Sequence, residues 1–80
     1  FKADPAYLVA RYQYALGLGG VDLKTYHTEI GDALHRASAA TPMTAYETVM
    51  QGRARELLAA FNKGDTDEFD RLVRRDQGYP

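Results

Sequence analysis

The sequence predicts an all-α fold, a small bundle of four helices arranged as two helical hairpins, with no sheet. Three observations predict it. Apolar residues recur at spacings of three and four through four separate stretches, each opened by Asp or Thr in the manner of a helix N-cap. Glycine or proline follows each of the first three stretches, where a helix is expected to stop. No segment alternates with period two over the length of a strand or is rich in β-branched residues.

The first helix is expected over 5–16. Asp4 precedes Pro5, which puts proline at the first helical position, where its missing N–H costs nothing. Leu8, Val9, Tyr12, Ala15 and Leu16 then share one face until Gly17, a residue able to close the helix in the left-handed conformation. Asp22 caps a second helix over 22–39, whose stripe of Leu23, Tyr26, Ile30, Ala33, Leu34 and Ala37 holds until the chain nears Pro42.

Thr44 and Glu47 have the spacing of a capping box, with Thr41 ahead of Pro42 as a competing cap, and start a third helix over 43–61. Tyr46, Val49, Met50, Ala54, Leu57, Leu58 and Phe61 give it an apolar face, and "NKG" at 62–64 supplies the stop. Asp65 and Glu68 repeat the cap logic for a short fourth helix over 65–75. Its apolar residues are Phe69, Leu72 and Val73, while Arg71, Arg74 and Arg75 sit favourably toward the C-terminal end of the helix dipole. The expected core is Leu8, Tyr12, Leu16, Ile30, Leu34, Met50, Leu57, Leu58, Phe61 and Leu72.

Eighty residues suffice for one small domain, taken as 1–80. The absence of cysteine removes disulfides, thiolate zinc sites and cysteine nucleophiles together, so stability must come from packing or from a partner. No apolar run approaches the roughly 20 residues of a membrane-spanning helix, and a soluble, cytoplasmic protein is expected. The net charge is −1, with four residues of each sign in the first half and six basic against seven acidic in the second. That balance argues against a surface built to neutralise phosphates.

Motifs with chemical meaning are few. "GLGGVD" at 17–22 follows a helix rather than a strand and has neither G-x-G-x-x-G nor G-K-[ST], so it reads as a helix stop and turn, with Leu18 and Val21 folding back onto the core. His27, Glu29, Asp32 and His35 share the second helix, but Asp32 and His35 are the one histidine–carboxylate pair at a spacing that puts both ligands cleanly on one face. Ser38 is the one serine and lacks a nucleophile-elbow context. No catalytic residue, cofactor or metal site is therefore assigned. The stretch "HTEIGDALHRASAATPMTAY" opens like a helix–turn–helix unit, yet "HRASAA" continues the helix and Pro42 delays the next start.

Two surface features remain. Tyr7 and Tyr14 lie seven residues apart beside Arg11, away from the main apolar seam of the first helix. Arg53, Arg71, Arg74 and Arg75 form the second feature, a cluster suited to an acidic partner. Aromatic and arginine residues anchor protein interfaces more often than other types. The expected function is thus a non-enzymatic protein–protein interaction module, a small regulatory, adaptor or assembly protein, with a DNA-binding helical domain as the alternative. Self-association is also expected, through the heptad-like sets Leu23/Ile30/Ala37 and Tyr26/Ala33/Ala40.

The layout of "YLVARYQYALGLGGVDLKTYHTEIGDALHRA" is similar to the antiparallel helical hairpins of small bacterial kinase-inhibitor proteins, and "LLAAFNKGDTDEFDRLV" resembles the helix–GD–helix turn of many helical repeats. Both are general hairpin solutions, so no family is assigned and no functional residue is carried over.

Overall fold

Each helix begins where a short polar side chain satisfies a backbone N–H that the helix leaves unpaired. The computed structural model describes residues 4–78. Asp4 Oδ1 accepts from the Ala6 N–H, Asp22 Oδ1 from Thr25, Thr44 Oγ1 from Glu47 and Asp65 Oδ1 from Glu68. These caps start α1 (Pro5–Gly17), α2 (Leu23–Ala39), α3 (Ala45–Lys63) and α4 (Thr66–Asp76). The fold is all-α, and among the described residues there is no strand. Thr44, rather than Thr41, caps α3, and the box is completed one residue early, because the Glu47 carboxylate accepts from the Met43 N–H at 2.7 Å.

The stops differ in kind. Gly64 closes α3 in the left-handed region at φ 72°, a conformation that side-chain-bearing residues adopt at a cost. Gly17 does not play that part in α1. It is the last helical residue, Leu18 keeps right-handed angles, and Gly19 takes the positive φ of 77°. Leu18 and Val21 were expected to fold back onto the core, but Leu18 is 70 % exposed. The turn is closed by backbone hydrogen bonds, Gly20 N–H to the Ala15 carbonyl at 2.8 Å among them, so no buried anchor is required of Leu18.

α2 and α3 form the most extensive helix pair, with α1 against α2 and α4 against α3. Val9, Tyr26, Ile30, Leu34, Ala54, Leu57, Ala60, Phe69, Leu72 and Val73 make one buried cluster. Tyr12, Leu16, Leu58 and Phe61 pack against it half-buried, while Met50 is buried and Leu8 half-buried beside it. Alanines 54 and 60 let the helix backbones approach, and Gly31 gives room to Phe61, whose Cε2 would stand 3.2 Å from a Cβ at that position. Burial pushes the Tyr26 phenol above its ordinary value, with a hydrogen bond involving Gln13 acting the other way.

Several stripe residues stay outside. Leu23 is 59 % exposed because the contacts His27–Phe61 and Ser38–Gln51 set an antiparallel register that puts Leu23 opposite the turn where α3 has ended. Val49 lies about 100° around the helix from the buried Met50–Ala54–Leu57 line, and faces outward. Tyr46, in the first turn of α3, is also exposed. The sets proposed for self-association fail for the opposite reason: Ile30 and Tyr26 are spent inside the chain's own core.

Leu57→Ala should cost about 2–5 kcal/mol, because its side chain is fully buried and leaves a cavity. Gly52→Ala should instead stabilise by about 0.5–1 kcal/mol. Gly52 is exposed in the interior of α3 and an added Cβ meets nothing within 4 Å. Denaturant unfolding followed by circular dichroism measures both, and equal effects would contradict this packing.

Candidate interaction surfaces

The arginine cluster is assembled by the packing of α4 on α3. Arg71 is bidentate to Glu68, with Nε to Oε1 at 2.6 Å and Nη2 to Oε2 at 2.9 Å. Arg75 spans the two helices, donating to both Glu56 oxygens at 3.0 and 3.3 Å, and also meets Asp76 Oδ1 at 2.8 Å. Arg53 Nε reaches the same Asp76 oxygen at 3.8 Å. Arg74 makes no ion pair among the described residues and lines a shallow groove of about 410 Å³ with Gln13, Asp70 and Gln77.

The electrostatics follow from those bonds. Glu56 is held below its ordinary carboxyl value chiefly by the hydrogen bond from Arg75, and Glu68 by that from Arg71. The guanidiniums of Arg75 and Arg71 are pushed up by the same bonds. Three of the four arginines therefore have carboxylate partners on their own chain. Asp76, with its side chain only 3 % exposed, ties Arg53 and Arg75 to the end of α4.

The other surface lies on α1. Tyr7 and Tyr14 are 46 % and 71 % exposed, and the Arg11 guanidinium carbon sits 5.9 Å from the centre of the Tyr7 ring. Arg11 is the one charged residue between Pro5 and Gly17 and makes no ion pair among the described residues. Leu18 extends the same strip, exposed rather than folded back onto the core. Its signal was present in the spacing Tyr7, Arg11, Tyr14, Leu18, which alternates four, three and four.

Other polar groups take part in helix capping and packing. Gln51 Nε2 donates to the carbonyls of Ala37, Ser38 and Ala40, and Arg55 to that of Ser38, which satisfies the C-terminal end of α2. An open groove of about 330 Å³ lies between the N-terminal end of α1, the C-terminal end of α2 and the start of α3, walled by Pro5, Leu8, Leu34, Ala37 and Met50. Asp4 and Glu47 at its edge are engaged in capping. His27 packs against the Phe61 ring at 5.4 Å, and no three His, Asp or Glu side chains converge among the described residues. α2 runs unbroken through "HRASA" to Ala39, so the connection to α3 is the five residues 40–44.

Comparison of the chain with protein-family models, with curated proteins and with solved structures gives no match. No helix among the described residues is long and apolar enough to cross a membrane.

Because the Glu56 carboxyl is lowered, the folded chain holds fewer protons than the unfolded one near the ordinary value of 4.5. The stabilisation is present above that value and is lost as pH falls through the folded one. Glu56→Gln should lower stability at neutral pH by less than about 1 kcal/mol, since the pair is exposed. The difference from the parent chain should vanish at about pH 2. Urea titrations at the two pH values measure it, and a deficit that persists in acid would deny the ion pair its role.

Proposed function

We propose that this chain is a non-enzymatic protein-binding module, a small regulatory, adaptor or assembly protein, and that its binding face is the strip of Tyr7, Arg11 and Tyr14 on α1. The observation that carries the proposal is an uncompensated arginine set among exposed aromatic side chains. Tyrosine at such a position offers a large contact area with few rotatable bonds lost, and tyrosine and arginine are both enriched among the residues that dominate interface energetics. The arginines at 53, 71 and 75 are weaker candidates, because a partner's carboxylate would have to displace Glu56, Glu68 or Asp76. Arg74 is the member of that cluster best placed to meet an acidic partner. A cytoplasmic location suits this role.

The DNA-binding alternative draws on the arginine cluster of Arg53, Arg71, Arg74 and Arg75, but the net charge of −1 and the carboxylates interleaved with the arginines oppose it. Tyr7→Ala combined with Arg11→Ala should abolish capture of a stoichiometric protein from native lysate while leaving the helical circular-dichroism signal nearly unchanged. Both side chains are exposed, so their loss leaves the core intact. Captured material that is nucleic acid alone, removed by nuclease and by added salt, would favour the alternative instead.

A further inference from the structure

The strip on α1 is self-complementary. Residues 7, 11, 14 and 18 fall within an arc of about 60° at 100° per residue, and the Leu18 N–H still donates to the Tyr14 carbonyl, so the strip is continuous to its end. Their spacing of four, three and four is that of alternating core positions in a two-stranded helical contact. When such a strip meets its own copy in antiparallel orientation, about a two-fold axis between residues 12 and 13, position 7 faces 18 and position 11 faces 14. Each Tyr7 then lies against a Leu18, and each Arg11 against the ring of a Tyr14.

We propose that the occupant of this face is a second copy of the chain, docked through antiparallel α1 helices. The inference rests on the reading of the α1 strip as a protein-binding face. An isologous contact requires one patch to complement itself, and this patch pairs its single cation with an aromatic ring rather than with another cation. Two copies of two exposed tyrosines, a leucine and an arginine stem place the interface near the roughly 1,000 Å² lower bound of specific contacts, so the dimer is concentration-dependent. The two guanidiniums lie on either side of the axis and repel one another. Added salt screens that repulsion and tightens the dimer, the reverse of a contact made by opposite charges.

Sedimentation velocity from micromolar to millimolar chain, at low and high sodium chloride, tests the proposal. A monomer–dimer equilibrium that shifts toward dimer with salt is expected, weakened about tenfold or more by Tyr14→Ala or Arg11→Glu with unchanged helicity. The chain has no cysteine, so introduced thiols report the register. A mixture of Tyr7→Cys and Leu18→Cys chains should cross-link on mild oxidation. Either variant alone should not, because like positions stand about 16 Å apart along the axis. A chain that stays monomeric at millimolar concentration, or single variants that cross-link as fast as the mixture, would overturn the proposal. If such a monomer still captures a lysate protein in a manner dependent on Tyr7 and Arg11, the second copy is excluded and the protein-binding face stands. If the capture is also indifferent to those residues, both fall.

Discussion

The rest of the structure depends on the antiparallel contact of α2 with α3. Ile30 and Leu34 from one helix, and Ala54 and Leu57 from the other, are fully buried in the central cluster. The alanines at 54 and 60 matter as much as the large side chains, because a bulky residue there would hold the helices apart and open voids that nothing in so small a chain could fill. Gly31 serves the same end by admitting the Phe61 ring, which in turn packs against Phe69 of α4 at 5.8 Å. α1 and α4 are thus secondary layers added to a pair already in place, α1 through Val9 and α4 through Phe69, Leu72 and Val73.

Part of the charge in this protein is engaged within the chain. Asp4, Asp22 and Asp65 are occupied by helix N-termini, and the Asp22 carboxyl is lowered chiefly by its hydrogen bond from the Thr25 backbone. Glu56, Glu68 and Asp76 take up Arg75, Arg71 and Arg53. A chain of near-neutral net charge gains little from long-range attraction of phosphates. Its distinctive surface is instead the strip on α1, where a cation without an ion pair lies among exposed aromatic side chains. There the guanidinium lies over an aromatic ring, and its neighbours are apolar.

The relation between caps and register is also mechanical. Gln51 and Arg55 on α3 reach the last carbonyls of α2, so the C-terminal end of one helix is satisfied by the body of its neighbour rather than by a glycine. This bond set pins one end of the pair, and the His27–Phe61 contact pins the other. The Gly64 turn brings α4 back so that Arg75 faces Glu56 across the α3–α4 interface.

The sequence by itself determined the fold class, the four helices within about two residues at each end, and three of the N-caps, with the cap of α3 narrowed to Thr44 or Thr41, because these are local matters. A cap, a glycine stop and a 3.6-residue period are each written within a turn or two of chain. It also picked out Ile30, Leu34, Met50, Leu57 and Leu72 of the core, while the other expected members, Leu8, Tyr12, Leu16, Leu58 and Phe61, are half-buried. Only the tertiary structure decided which members of a stripe are covered. Leu23 and Val49 have the right chemistry but lie past the end of a neighbour or off the contact line, and Leu18 extends an outward face once Gly19 and Gly20 close the turn without it. Only the tertiary structure paired Arg75 with Glu56, nineteen residues away. Coverage and pairing depend on the register between helices, and register is set by many weak contacts at once, none of which is legible in a single stretch of sequence.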